Sequence, residues 1–188
     1  MATEEGLIWD NLKDLQPGDF VALRQGAECW GVDRIPKVEL PDSHGSQNWM
    51  TVPSDEQAVK VAKFLGMLTA DGHISRTNYV IGLTKNDDGV RAEFKGLLLE
   101  LFGLTAREIE DARNGVKGVT IGSKYLMQWL DGVGFTKDHV PDFVLGGSRA
   151  ACLAYLSGLY LDGWVTKQGP AISQKRHSLL LDVQLIWD

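Results

Sequence analysis

Small and apolar residues recur at helical spacing after Ser54. They share one face of a helix at these positions: Ala58, Val61, Ala62, Leu65, Gly66 and Thr69. Ser54, with Gln57 three positions later, is a capping box that starts a helix. Asp71-Gly72 is a helix-ending dipeptide. The pattern predicts a helix from Ser54 that ends at Asp71-Gly72.

Alternating apolar and polar positions follow this helix, and helical spacing then returns. Asn114-Gly115, between two strand-like runs, is typical of a hairpin turn. The pattern predicts the order αββαββα for residues 54–136. Its strands are expected at 73–76, 79–85, 107–113 and 116–121, and its later helices at 90–102 and 123–130.

The same order of elements restarts after Val140-Pro141. A helix is predicted at 148–161, strands at 164–167 and 171–175, and a helix at 179–187. We therefore expect residues 137–188 to form a second, truncated copy of residues 54–136. Residues 1–53 come before both copies, with a short all-β element at 7–25 and a loop-like linker rich in Pro, Gly and Ser at 26–53.

The composition permits a folded core but does not favour nucleic acid. Hydrophobic residues make up 44% of the 188 residues, and the net charge is −6. Because DNA-binding domains are usually basic, a DNA-binding role requires a local basic face. Cys29 and Cys152 form no CxxC pair, no apolar run approaches the length needed to span a bilayer, and no signal peptide is recognisable. We expect an intracellular, cytoplasmic location and no membrane partner.

Two segments are candidates for a metal-binding site. Each is an apolar helix with small residues at a spacing of four and Asp-Gly at its end. The small residues are Ala62, Gly66 and Ala70 in the first, and Ala150, Ala154 and Gly158 in the second. Small residues at this spacing let two helix backbones approach closely, so Asp71 and Asp162 would lie next to each other. Their repulsion at helix C-termini is relieved by a divalent cation such as Mg²⁺, which can also activate water against a phosphodiester.

A plainer interpretation exists for each segment taken singly. Glycine after a helix is an ordinary C-terminal cap, and Asp-Gly is a common turn dipeptide. Two such segments, each followed by a strand-like pair, favour the metal-binding interpretation.

Residues 64–72 and 155–163 resemble the paired motifs of LAGLIDADG homing endonucleases. Residues 9–23 resemble the strand that ends the N-terminal half of an intein splicing domain. Residues 137–145 resemble the proline-containing segment that precedes the family's second motif. The resemblance covers most of the chain.

The resemblance implies an α+β fold of two pseudo-symmetric αββαββα repeats, the second incomplete, that form a saddle of antiparallel sheets. A small all-β splicing-domain remnant precedes them. The implied function is an intein-encoded, site-specific endonuclease for double-stranded DNA, with Asp71 and Asp162 as catalytic Mg²⁺ ligands. The implied partners are double-stranded DNA, the rest of the splicing domain and its host protein. We expect a monomer, with a domain-exchanged dimer as the alternative for the incomplete repeat.

Two departures from the family bear on activity. Gly66 precedes Asp71 by five positions, whereas Gly158 precedes Asp162 by only four. The missing residue rotates Asp162 by about 100° unless the helix end adjusts. The family's catalytic lysine position holds Asp138 here, so Lys137, one position earlier, is our catalytic candidate. The alternatives are a degenerate, inactive DNA-binding remnant and a structural module that stabilises the splicing halves.

A basic face is expected on or beside the strands of both repeats. Our candidates for DNA binding are Arg76, Lys85, Arg107, Arg113, Lys117, Lys167, Lys175 and Arg176. Ser75, Thr77, Asn78, Thr84 and Gln174 are candidates for contacting base edges. Glu108, Glu110 and Asp111 interrupt this face. Any single lysine or arginine is more often a solvated surface charge than a ligand contact.

Overall fold

A computed structural model describes most of the chain from Trp30 onward and short pieces before it. The described residues are 2–3, 6–7, 16, 30–40, 50–167 and 169–187. Contacts divide the chain into two units, residues 1–29 with 188, and residues 30–187. In the first unit, β1 (Ala2–Thr3) pairs antiparallel with β2 (Gly6–Leu7). The all-β element expected at 7–25, which contains segment 9–23, lies outside the described residues except for residues 7 and 16.

The first repeat has the expected order αββαββα. A 3-10 turn (Asp55–Gln57) leads into α1 (Ala58–Asp71), β3 (Gly72–Ser75), β4 (Val80–Thr84), α2 (Asp88–Phe102), β5 (Arg107–Asp111), β6 (Val116–Gly122) and α3 (Lys124–Gly132). The strands form one antiparallel sheet in the order β3-β4-β6-β5. Every element predicted for this repeat from hydrophobic spacing is present.

Local signals in the sequence set the boundaries of these elements. Ser54 and Gln57 form the expected capping box, in which the Ser54 amide donates to Gln57 Oε1 at 3.1 Å. Asp87 caps α2 by accepting a hydrogen bond from the Val90 amide at 2.8 Å. Gly115, at φ 68°, supplies the left-handed residue that the tight β5–β6 turn requires.

The second segment is shorter and departs further from prediction. It contains α4 (Asp142–Leu145), α5 (Arg149–Leu159), a 3-10 turn (Tyr160–Asp162), β7 (Trp164–Thr166), β8 (Gly169–Ala171) and α6 (His177–Trp187). Helix α4 was not predicted. The strand expected at 171–175 is wrong, because the hairpin closes early: Thr166 Oγ1 donates to the Gly169 carbonyl at 2.8 Å, and Gly169 has φ 125°.

Residues 30–40 pack against the helices and do not form a free linker. The Gly31 amide donates to the Gly147 carbonyl at 2.9 Å, and Asp33 accepts from the Ser148 amide at 2.7 Å at the start of α5. Ile35 is buried with the core. These residues belong to the second unit, which begins at Trp30.

The main core lies between the sheet and the helices of the first repeat. Phe64 packs against Phe94 and Phe102, and Phe102 against Trp129, with ring centroids 5.0–5.3 Å apart. Edge-to-face and offset contacts of this kind add to the hydrophobic stabilisation. No helix among the described residues is long and apolar enough to cross a bilayer.

Strand alternation gives the sheet two different faces. Ile81, Leu83 and Val119 are fully buried and point toward the helices, so their side of the sheet is the helix face. His73, Thr84 and Arg107 belong to the opposite side, the open face. This division decides which charged residues can serve a ligand on the sheet.

Candidate active site

Helices α1 and α5 pack against each other through two glycines. A Cβ added to Gly66 would clash with the Tyr155 carbonyl oxygen and lie 3.0 Å from the Leu159 amide nitrogen. A Cβ added to Gly158 would clash with the Lys63 carbonyl and lie 2.6 Å from the Met67 nitrogen. The close pairing of the two motif helices is therefore as the sequence predicted, and it depends on glycine at both positions.

The small-residue stripe predicted for the second helix is wrong. Ala150 is exposed and Ala154 is only partly buried. Ala151, Tyr155 and Leu159 are buried instead. The face of α5 that meets the core is therefore rotated about the helix axis relative to the predicted stripe. Gly158, the third predicted position, does lie in close contact with the backbone of α1.

A buried hydrogen bond joins the paired helices near their C-terminal ends. Thr69 Oγ1 lies 2.9 Å from Tyr155 Oη and donates to the Leu65 carbonyl at 2.9 Å. Because a threonine hydroxyl has one proton, Tyr155 must be the donor to Thr69. Burial raises the pKa of Tyr155, which keeps this proton in place.

The two helices end differently, and the difference partly offsets the shortened second motif. Helix α1 ends at Asp71, whereas α5 gives way to the 3-10 turn Tyr160–Asp162. A 3-10 turn advances about 120° per residue and an α-helix about 100°. Three residues of tighter winding recover about 60° of the rotation that the missing residue removes. The helix end therefore adjusts in the direction that the second motif requires.

Asp71 has a cationic partner in Lys85. Lys85 Nζ lies 2.6 Å from Asp71 Oδ2 and donates to the Leu161 carbonyl at 2.8 Å. Both side chains are mostly buried. In this structure Lys85 is thus paired with Asp71, and its predicted contact with DNA stays a prediction. Lys85 follows β4 in the same alternation as Leu83, on the helix face, and this alternation is the signal that sequence reasoning missed.

A second ammonium group lies at the end of α1. Lys137 Nζ donates to the Gly72 carbonyl at 2.9 Å and lies 3.4 Å from the Ala70 carbonyl. Carbonyls at a helix C-terminus carry partial negative charge, which a lysine stabilises. Asp182 of α6 accepts from the Val140 amide at 2.9 Å and so anchors the loop that carries Lys137. The structure thus brings Lys137 to the end of the first motif, although it tests no catalytic role.

His73 lies beside these groups on the open face. Its ring covers Gly82, where a Cβ would lie 2.6 Å from His73 Nε2, and Thr84 Oγ1 is 3.5 Å from His73 Nδ1. Burial and then the nearby charge of Lys137 lower the pKa of His73, so the ring is neutral near pH 7. His73 was not among the site residues predicted from the sequence. The signal available was its position directly after Asp71-Gly72.

The role predicted for Asp162 stays a prediction. Its backbone lies in the 3-10 turn that ends the second motif, whereas its side chain lies outside the described part of the structure. Across the described residues, no three His, Cys, Asp or Glu side chains cluster as metal ligands. A metal bound here would have fewer than three of these side chains as ligands. Carbonyl oxygens or water would complete its coordination.

The predicted DNA-binding cations of the first repeat lie in different settings, and their contacts with DNA stay predictions. Arg76 pairs with Asp131 of α3 at 2.9 Å, and Lys117 lies opposite Glu110 on the helix face. Arg113 pairs with Asp111 in its own turn at 2.9 Å. Arg107 does lie on the open face.

Two of the acidic residues expected to interrupt this face do not. Glu108 and Glu110 alternate to the helix face, where Glu108 pairs with Lys95 of α2 at 2.9 Å. The open face is therefore less acidic than the sequence suggested, and also less basic.

The candidates of the second segment lie in three different settings. Lys167 is exposed in the β7–β8 turn, and Lys175 is exposed before α6. Arg176 Nε lies 3.0 Å from Asp138 Oδ1, beside Lys137. Of these three residues, only Arg176 lies near the C-terminal end of a motif helix, α1.

Comparison with known proteins bears on the first repeat. No curated protein matches the chain. A family model described as LAGLIDADG-like domain matches residues 58–131, which span α1 to α3 and include Gly66, Asp71 and Lys85. This match supports a relationship between residues 58–131 and the LAGLIDADG homing endonucleases.

Proposed function

We propose that the chain is an Mg²⁺-dependent endonuclease that cleaves double-stranded DNA at a specific site. One observation carries the proposal. The Asp71 carboxylate of the first motif and the Leu161 carbonyl of the second converge on one cation, the Lys85 ammonium. Oxygen atoms from two helices at a cation site are the donors that Mg²⁺ prefers.

The donor set fits a divalent metal. Asp71 is a mostly buried carboxylate at a helix end, and Asp162 ends the opposing motif. These two residues would hold Mg²⁺, which when bound activates water and stabilises charge on the phosphodiester. Lys85 and Mg²⁺ compete for the Asp71 carboxylate in this proposal. Metal binding would therefore release the ammonium for an anionic ligand.

The chain's own residues supply the rest of the site. Lys137 holds its ammonium at the end of α1, where it can stabilise negative charge on a phosphate oxygen. His73 presents a neutral ring on the open face and can accept or donate a proton there. Gly82 lacks a side chain, and this leaves the room in which the His73 ring lies against the sheet.

An intein context remains part of the proposal. It is supported by the sequence of residues 9–23, which resembles a splicing-domain strand. On this hypothesis the partners are DNA, the remaining splicing domain and the host protein, and the location is the cytoplasm. A monomer suffices, because both motif helices belong to one chain and already pair.

A second candidate function is a DNA-binding remnant without nuclease activity. The observation that favours it is the Lys85–Asp71 ion pair, which neutralises the carboxylate without a metal. Within the described strands of the first repeat, the open face carries few cationic side chains, which also weakens binding.

Incubating a plasmid that carries the native insertion site with protein and Mg²⁺ separates the two functions. We expect linear product from the wild type and none from Asp71→Asn. Glu100→Gln, which removes an exposed carboxylate of α2 paired with Lys60, is the matched control and should cleave normally. An intact plasmid together with a retained gel shift would favour the remnant.

Metal binding has a readout independent of cleavage. Mg²⁺ should raise the melting temperature of the wild type and of Glu100→Gln, since a ligand that binds only the folded state stabilises it. Asp71→Asn should show no such rise. An equal rise in all three proteins would remove Asp71 from the metal site.

A further inference from the structure

A polar cavity of about 330 Å³ lies beside the end of α1. Three cationic side chains line it, and they come from separate parts of the chain: Arg76 after β3, Lys137 before the second motif, and Arg176 before α6. Phe135 and Ile74 form its apolar wall. The cations that line the cavity therefore come from both motif-bearing segments. Their closeness in space is not apparent from the sequence.

Each of the two arginines is held in place by a contact that leaves N–H donors for a ligand. Asp131 accepts from Nε and Nη2 of Arg76 at 3.3 and 2.9 Å, and Asp138 accepts from Nε of Arg176 at 3.0 Å. A guanidinium has five N–H donors, so each arginine has more donors than its carboxylate accepts. The ion pairs thus orient the two arginines in advance, which lowers the entropic cost of binding.

The charge of the cavity differs from that of the chain. Its lining carries three cationic side chains and one carboxylate, Asp138, and Asp131 pairs with Arg76. One positive charge thus remains in excess, in a chain with a net charge of −6. A concave site with an excess of one sign concentrates the field and attracts the opposite charge. The preferred ligand is therefore an anion with several acceptor oxygens, for which arginine's planar fork is suited.

We propose that this cavity is a phosphate-binding site that receives a backbone phosphate of DNA next to the bond cut at Asp71. Lys137 links the two places, since its ammonium lines the cavity and contacts the Gly72 carbonyl directly after Asp71. The assignment of the phosphate to DNA rests on the proposed function, whereas the anion site itself does not. Arg76 and Arg176 then fix the position of the strand, and sequence is recognised elsewhere.

The first test uses inorganic phosphate and the side-chain Nε–Hε signals of arginine in NMR spectra. Phosphate added at constant ionic strength should shift the signals of Arg76 and Arg176 in a saturable way. Arg113 is the matched control, because it also pairs with an aspartate but lies outside the cavity. Arg76→Gln should abolish the saturable shift of Arg176. Shifts that fail to saturate, or that are equal at Arg113, overturn the site.

The second test measures the salt dependence of binding to a DNA duplex carrying the insertion site. Each phosphate contact contributes about 0.9 to the slope of log K against log salt concentration. Arg76→Gln and Arg176→Gln should each flatten the slope relative to wild type. Lys60→Gln, which removes an exposed cation paired with Glu100, should leave it unchanged.

The outcomes separate the existence of the anion site from its use by DNA. Saturable phosphate shifts with an unchanged slope would show an anion site that DNA does not use, which overturns the assignment to DNA. Absence of DNA binding by the wild type would refute the proposed function and that assignment together. The phosphate titration would still decide whether the site exists.

Discussion

The two motif helices meet at one glycine-lined contact, yet they are supported in different ways. Helix α1 is backed by a four-stranded sheet whose Leu83 and Val119 are fully buried. Helix α5 is followed by a two-stranded hairpin in which Trp164 is 51% and Val165 84% exposed. The helix contact, and not the sheet, is therefore what the two segments share, and the candidate site lies where that contact ends.

Helix α5 has other supports in place of a full sheet. Asp33 from residues 30–40 caps its start through the amide and the hydroxyl of Ser148. Asp182 of α6 holds the loop that leads to α4 and α5. Long-range polar contacts thus replace part of the hydrophobic support that α1 receives from its sheet.

Breaking the shared contact should have the largest effect. Gly66→Ala forces a Cβ into the Tyr155 carbonyl and should lower the free energy of unfolding by about 3 kcal/mol. Gly96→Ala is the matched control, since that exposed helical glycine of α2 has no neighbour within 4 Å of its Cβ position. It should raise stability by about 0.5–1 kcal/mol. Urea unfolding measures both, and equal effects would mean that the helices are not in tight contact.

The hydrogen bond between the helices should have an intermediate and asymmetric effect. Thr69→Val leaves the buried Tyr155 hydroxyl without its acceptor and should cost about 2 kcal/mol. Tyr155→Phe leaves Thr69 bonded to the Leu65 carbonyl and should cost about 1 kcal/mol. Thermal unfolding of both single variants and the double variant checks the order. A larger cost for Tyr155→Phe would reverse the donor assignment.

The exposed hairpin should give the smallest effect and so sharpen the contrast between the two sheets. Val165→Ala should change the free energy of unfolding by less than about 0.5 kcal/mol, because the side chain is exposed. Val119→Ala, the matched change in a buried strand of the first repeat, should cost about 2 kcal/mol. Denaturant melts compare them, and a similar cost at both positions would show that another surface covers the hairpin.

The first repeat was predictable because its signals are local. Ser54 with Gln57, Asn114-Gly115 and the change of hydrophobic period each act within a few residues. The placement of Asp71 at a helix end followed from the same signals. The approach of Gly66 to Gly158 was predicted from the small residues at a spacing of four in each helix. Residues 30–40 have no such periodicity, so their packing against α5 could not be predicted.

The partners of the charged side chains were beyond sequence reasoning for a different reason. Whether Arg76, Lys85 or Lys117 reaches the open face depends on which strand face meets the helices. That choice is set by buried neighbours such as Leu83 and Val119 on strands that pair across the chain. Applying the alternation from Leu83 to Lys85 would have placed this lysine correctly. The partners Asp131 and Leu161 depend on the assembled fold.

The 3-10 turn at Tyr160–Asp162 has a consequence for how such motifs are recognised. A helix that can tighten its last turn tolerates the loss of one residue, because angular position around the axis is partly restored. Searches that require a fixed number of residues between the glycine and the terminal aspartate will therefore overlook divergent copies. Scoring the cumulative angle, with a variable winding for the final turn, would retain them.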